Sequence, residues 1–352
     1  MNDILKDLVS LPCPCGFEQP LVRYFLKRFK GKADSAVVDG IGNLILTKKG
    51  ALPGPTLMLS GHSDEVGFMV RKIEPNGLLR FEKIGGHDDR VILCEAVTVT
   101  THKGELHGVI GCVSAHFTKF DDPKRITPHK QMYIDIGARD AAGAAELGVR
   151  VGDVVTWATP YREIGQNRAI GHGFDDKAGC AVIAKVMEDI DWSRVHGTVV
   201  ASFSVQEELG LRGAQVASRQ AVADVAIAVD TTAVTDTPEG ITDNGLMLGA
   251  GPAIKVMDFS MSASSAVVRA LERAADKAGI ACQKEIFLGI GTDAGEMHKA
   301  GHGVPGGVIS IPSRYAHSPH EVIDLGDLRE CKELLEAFIY EMKDAADYAF
   351  LA

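Results

Sequence analysis

The chain has 352 residues, 45% of them hydrophobic and 24% charged, an ordinary balance for a globular protein with room for one large domain or two of about 150 residues. A formal net charge of −10 excludes the basic surface that nucleic acid or an anionic membrane demands, and no apolar run approaches the ~20 residues of a bilayer span. Acids in the opening MNDILKDLVS stand where a secretory signal carries Lys or Arg, and the seven cysteines are odd in number and scattered, so no disulfide framework and a cytoplasmic residence are expected.

In chain order, PCPCGFEQPL comes first, with a C-P-C pair at Cys13 and Cys15 that lacks the second pair of a structural zinc knot. PLVRYFLKRFKG then sets Leu21, Val22, Phe25, Leu26 and Phe29 on one helical stripe ending at Gly31. NLILTKKG and TLMLSG read as strands. Between residues 70 and 168 the texture changes to short β-like stretches (LLRFEKI, AVTVTT, GVIGCV, QMYIDIG, DVVTWAT) separated by turn signals PNG, HKGE and FDDPKR, with little amphipathic helix. Helix and strand then alternate. DKAGCAVIAKVMEDI, SSAVVRALERAADKAG and DLRECKELLEAFIYEMKDA read as helices, the last burying Leu328, Leu335, Phe338 and Met342; TVVASFSV, VADVAIAVD and VISIPS read as strands. The expected fold is α/β, a mixed and mostly parallel sheet between helices. Residues 1–69 and 169–352 would form this domain, and residues 70–168 an inserted small all-β domain.

Five clusters place acids or histidine at or just past an apolar run: SGHSDEVGF (60–68), GHGFDDKAG (171–179), SVQEELG (204–210), AVDTT (228–232) and SRYAHSPHE (313–321). Loops beyond the C-terminal ends of parallel strands converge on one crevice. His62, Asp64, Asp175, Asp176, Glu207, Glu208, Asp230 and His317 are therefore expected to face one another. Six carboxylates so gathered repel unless compensated, and within these motifs only Lys177 and Arg314 are cationic. Imidazole and carboxylate without thiolate suit Zn²⁺, Co²⁺ or Mn²⁺, and two ions leave fewer acids unpaired than one. In an extended H-x-D the side chains at i and i+2 share a face, so the Asp64 carboxylate is expected to orient the His62 ring. Adjacent Glu207 and Glu208 diverge, leaving one free to be a general base. Taken singly, each motif is compatible with a turn, a helix cap or solvated surface; together at strand ends they are not. Of the other histidines only His87, in GGHDD, attracts notice.

These motifs, in the order H-x-D-E-x-G-F, F-D-D-K-x-G-C, Q-E-E-x-G-x-x-G-A, V-D-T-T and G-T-D-A…R-Y-x-H-S-P-x-E, resemble the M42 family of metallo-aminopeptidases, the glutamyl and leucyl aminopeptidases related to the tetrahedral peptidases. The resemblance spans essentially the whole chain. It implies a zinc-peptidase-like fold and two divalent ions (zinc, cobalt or manganese). Asp175, with a cis peptide to Asp176, would bridge them, with Glu208 on the ion of His62 and with Asp230 and His317 completing the second. Glu207 would be the catalytic base, with Asp64 supporting His62. It further implies removal of the N-terminal residue of short peptides, and homo-oligomers from dimer to dodecamer through the β domain. A deacylase or carboxypeptidase on a related scaffold is the alternative, and a glycosidase a more distant one. GLMLGAGPAI and FLGIGTDAG are expected to line a specificity pocket of apolar character. Lys177, Phe174 and His87 depart from the family pattern, which more often has Arg, an aliphatic residue and an aromatic residue there.

Overall fold

TLMLS lies within the strand Leu52–His62, one of four parallel strands at the centre of a mixed sheet. In spatial order these are His196–Ser204, Leu52–His62, Val225–Ala233 and Gly306–Arg314. The computed structural model describes residues 1–351 except 121, 123, 239 and 241–244; Asp121 and Pro123 of the FDDPKR turn signal fall outside the described residues. Side chains of the central strands are buried on both faces, Val225 through Thr232 without interruption. Such strands read as continuous apolar runs rather than alternating ones.

The flanks of the sheet are antiparallel. Leu44–Lys49 pairs with His196–Ser204 on one side and with Ser35–Val38 on the other. The turn joining Ser35–Val38 to Leu44–Lys49 is held by Asp39 Oδ1, which accepts the amides of Ile41, Gly42 and Asn43; so short a connection permits only an antiparallel pair. Beyond Gly306–Arg314 come Glu321–Asp324, Arg168–Gly171 and Arg162–Ile164. The sheet is mixed, as expected, and its main parallel run is this four-strand centre.

Helix Phe174–Asp189 packs against both Leu52–His62 and Val225–Ala233 and beneath Leu325–Glu341. It is buried on nearly every side from Asp176 through Ala184, as a helix apolar all round must be. Leu325–Glu341 starts where the Asp324 carboxylate accepts the Gly326 amide at 2.7 Å, an N-cap. Leu328, Leu335 and Phe338 are buried along it, with Met342 buried just past its end. Gln19–Arg28 buries Leu21, Val22 and Phe25 and stops short of Gly31. Its Phe25 ring stacks on Phe203 with centroids 4.0 Å apart.

The strands Gly67–Ile73, Leu79–Ile84, Ile134–Asp135, Gly104–Ile110, Ala96–Thr101 and Val154–Trp157 close, in that order, into a barrel. Closure leaves no free sheet edge. Its separate core sets Phe68 edge-on to both Phe81 and Trp157, at 4.9 and 4.8 Å. A short helix, Ala141–Glu146, capped by Asp140, lies between QMYIDIG and DVVTWAT, in a region read as having little helix. Arg162–Ile164 belongs to the large sheet, through Arg168–Gly171. Among the described residues no helix is long and apolar enough to cross a membrane.

Phe203 is fully buried in the ring stack, and Phe203→Ala is expected to cost about 3–5 kcal/mol in guanidinium denaturation; a loss below about 1 kcal/mol would show that the stack does not support the core.

Candidate metal centre

The four central strands point their C-terminal ends the same way, and the charged motifs sit there. His62 closes Leu52–His62 opposite Ser204, from which the chain runs on to Glu207 and Glu208. Ala228 pairs with Ser60, so two residues further along each strand stand Asp230 and His62. His317 follows Gly306–Arg314. Asp175 enters from the first turn of Phe174–Asp189, where Asp175 and Asp176 have non-helical backbone angles and share a cis peptide.

Asp175 is the centre of this arrangement. Its Oδ1 is 3.2 Å from His62 Nε2 and its Oδ2 is 3.2 Å from His317 Nε2. Asp230 Oδ1 lies 3.7 Å and Glu207 Oε2 4.0 Å from His62 Nε2. Glu208 Oε1 lies 3.0 Å from His317 Nε2 without an aligned hydrogen bond, the disposition of two donors aimed at a third atom. Donor atoms converge within 4.8 Å in three sets: His62, Asp175 and Asp230; Asp175, Glu208 and His317; and His62, Glu207 and Glu208. Asp230 thus groups with His62 and not with His317, against the expected division. The reason is register, since Asp230 rides on the strand beside that of His62 while His317 lies beyond the next one.

Both imidazoles are oriented by backbone. His62 Nδ1 is 3.1 Å from the Asp64 main-chain oxygen and His317 Nδ1 2.9 Å from that of Gly86, in the loop after the barrel strand Leu79–Ile84. A carbonyl only accepts, so each Nδ1 carries the hydrogen and each Nε2 is left for a ligand. The Asp64 carboxylate is 3.7 Å from His62 Nδ1, outside hydrogen-bond reach, which corrects the expected H-x-D contact. The strand ends at His62, so the two-residue alternation does not continue to Asp64. Its oxygens instead accept the amides of Glu207 and Glu208, at 3.0 and 3.1 Å.

The electrostatics show a shortage of positive charge. Burial alone would lower the His62 pKa, but Glu207, Asp175, Asp230 and Asp64 hold it well above the ordinary imidazole value. His317, also against its burial, is raised by Glu208 and Asp175. Burial pushes Asp230 up to about 6. It pushes Glu207 well above the carboxylate range, with Asp230 and Glu208 adding to it. A site that holds extra protons on imidazoles and acids is one in which cations can replace them. The donor set, oxygen and imidazole nitrogen with no thiolate, suits zinc, cobalt or manganese.

Two carboxylates carry supporting roles that spacing did not reveal. Glu321, the last residue of SRYAHSPHE, accepts the amides of both Asp175 and His317, at 3.2 and 3.1 Å; His317 has φ 60 and needs such a tether. Asp293, within G-T-D-A, accepts the Ser60 hydroxyl at 2.6 Å and that of Ser204, tying two central strands together below the site. Asp176 is buried and accepts the Gly179 and His62 amides rather than joining the donor sets.

A cavity of about 440 Å³ opens over the cluster, bounded on its far side by Leu211, Phe259, Gly289, Ile290 and Gly291. FLGIGTDAG therefore lines it as expected. GLMLGAGPAI does not: Leu246 and Leu248 are buried against Val234, Ala253 and Val322.

A family model described as M42 glutamyl aminopeptidase matches residues 42–334. A putative aminopeptidase of Acetivibrio thermocellus is 36% identical over 335 residues, 95% of this chain and 97% of that relative. Among solved structures, an aminopeptidase from the archaeon Desulfurococcus kamchatkensis has TM-score 0.92 and 34% identity, covering 97% of this chain and 94% of that one. The TET1 peptidase of Pyrococcus horikoshii, which can assemble into a tetrahedron or a large octahedral shell, has TM-score 0.87 and 32% identity, covering 97% and 99%.

Of the three residues expected to depart from the family pattern, Phe174 and Lys177 are fully buried and His87 is half-buried. Phe174 is core, edge-on to Tyr161. His87 packs edge-on to Phe68 at 4.8 Å with both ring nitrogens buried and unpartnered, and burial lowers its pKa to about 3; it serves as a neutral aromatic wall. Lys177 is fully buried, its Nζ donating to Glu65 Oε1 at 2.8 Å and to the Leu11 carbonyl at 2.9 Å. Lys177→Ala leaves the buried Glu65 carboxylate without its cation and is expected to cost about 3–5 kcal/mol in chemical denaturation; a change below about 1 kcal/mol would mean that Glu65 finds other compensation.

Proposed function

The chain belongs to the M42 family of aminopeptidases, and on that premise we propose that it removes the N-terminal residue of short peptides with two divalent cations and Glu207 as general base. The observation that carries this reading is Asp175, which presents one carboxylate oxygen to each of two imidazoles, with Asp230 beside one and Glu208 beside the other. His62, Asp175 and Asp230 would hold one ion, and Asp175, Glu208 and His317 the other. When bound, such a pair lowers the pKa of a water toward neutrality and polarises the scissile carbonyl.

The protein's own groups supply the remainder. Glu207, buried at the cavity wall and spare once the two ligand sets are filled, takes a proton from the attacking water and returns it to the leaving amine. Asp64 acts at one remove, by holding the Glu207 and Glu208 amides. Leu211, Phe259 and Ile290 offer the departing residue's side chain an apolar wall, which favours uncharged N-terminal residues. We assign the barrel, from Gly67 to Trp157, to an inserted domain that mediates self-association, and the flanking segments, Arg162–Ile164 included, to the catalytic domain. The assembling relative supports a homo-oligomer here, and we place the enzyme in the cytoplasm.

Glu207→Gln is expected to keep wild-type metal content by elemental analysis while turnover falls roughly 10²–10⁴-fold; undiminished turnover would end the base assignment. Asp175→Ala is expected to lose both ions, and retention of a full complement would refute the bridging role. A panel of aminoacyl-anilides set against N-acylated amino acids separates an aminopeptidase from a deacylase: cleavage confined to the acylated compounds would overturn the reading.

A further inference from the structure

The motif PCPCGFE has no part in the proposed chemistry, yet it lies against the turn that carries Glu207. That turn has an unusual construction. Four successive amides, those of Val205, Gln206, Glu207 and Glu208, each donate to a buried side chain from elsewhere in the chain. Val205 N donates to Asn43 Oδ1 at 3.0 Å, Gln206 N to Glu18 Oε1 at 3.1 Å, and Glu207 and Glu208 N to the two oxygens of Asp64. Gln206 has φ 54, a conformation that side-chain-bearing residues adopt at a cost and keep only when their surroundings impose it.

Glu18 is the member that holds the Gln206 amide itself. Its side chain is buried, and Oε1 accepts both Gly16 N, at 2.7 Å, and Gln206 N. The rest of the segment is fixed to the end of the His62 strand. Cys13 and Glu65 exchange hydrogen bonds, Cys13 N to Glu65 Oε1 at 2.9 Å and Glu65 N to Cys13 O at 3.0 Å. Cys15 Sγ donates to Asp64 Oδ2 at 3.0 Å. The Cys15 thiol is thus engaged by a carboxylate, and the burial that raises its pKa leaves it a neutral donor.

We propose that residues 13–18 form a clamp on the Glu207 turn, with Glu18 as a positioning residue for Glu207. Glu18 meets no atom of the donor cluster; it acts through the Gln206 amide, which fixes the direction in which the next residue leaves the turn. A general base displaced by about 1 Å loses much of its advantage, so the clamp governs turnover more than binding. The proposal rests on Glu207 being the base.

Two conservative variants separate reach from charge. Glu18→Gln keeps an acceptor oxygen at the same distance and loses the charge; Glu18→Asp keeps the charge and falls one methylene short. With the metal-loaded enzyme on an aminoacyl-anilide, Glu18→Asp is expected to lower kcat roughly tenfold or more while KM and metal content stay within about twofold. Glu18→Gln is expected to retain most of kcat. Amide hydrogen exchange over residues 204–208 should quicken in Glu18→Asp and not in Glu18→Gln. The proposal is overturned if Gln is the more damaging change, if both variants match wild type, or if kcat falls only in step with lost metal. Should Glu207→Gln retain full turnover, the base assignment fails by itself, and the exchange comparison still decides whether Glu18 holds the turn.

Discussion

Asp175, Glu207, Glu208 and Asp230 stand around two imidazole nitrogens at the ends of parallel strands, and the rest of the structure is arranged to keep them there. Left to itself such a group disperses or takes up protons, because burial and mutual repulsion both oppose ionisation. Dispersal is prevented by the backbone. His62 and Asp230 are strand residues in register with Ser204 and Ser310, Asp175 opens a buried helix, and the two glutamates sit on a turn whose amides from Val205 to Glu208 are each occupied. What remains is a fixed excess of negative charge, open on one side to a cavity, which cations can relieve.

The same physics decides how much of this can be read along the chain. The central strands are legible because burial on both faces makes them unbroken apolar runs, and the helix Phe174–Asp189 because its apolar surface goes all the way round. Strand ends follow from those runs, and with them the positions of His62, Glu207, Glu208, Asp230 and His317. The convergence of the clusters is thus a consequence of parallel topology and needs no knowledge of side-chain contacts. Pairing direction at the flanks and the short helix Ala141–Glu146 rest on turn geometry and caps, whose signals span three or four residues and resemble ordinary loop composition.

Contacts between a side chain and a distant amide leave no such trace. Glu321 holding Asp175 and His317, Asp293 joining two strands and Asp64 serving Glu207 in place of His62 depend on where the chain turns after a strand. The Asp64 case shows the limit clearly: alternation holds while the strand lasts, and the strand stops at His62. The division of donors fails to be legible for a similar reason. The strands leading to Glu208 and to Asp230 both flank that of His62, so only side-chain direction sets Asp230 3.7 Å from His62 Nε2 and Glu208 3.0 Å from His317 Nε2.

Lys177 and the open cluster are two answers to one problem. Glu65 is as deeply buried as any acid of the site, and a lysine with no exposed surface neutralises it. That solution is permanent: the ammonium fills the space and its hydrogen bonds run to Glu65 and Leu11. A lysine among Asp175, Asp230 and Glu208 would balance charge equally well and would also occupy the place that the proposed mechanism leaves for a substrate carbonyl. An ion differs in offering coordination positions beyond those the protein fills. Compensation by cations is therefore the arrangement that leaves a charged wall available for chemistry, while compensation by a side chain builds a rigid base for it one layer below. Glu65 exchanges hydrogen bonds with Cys13 and follows Asp64 in the chain, so that rigid base reaches the Glu207 turn through Asp64, which holds the Glu207 and Glu208 amides.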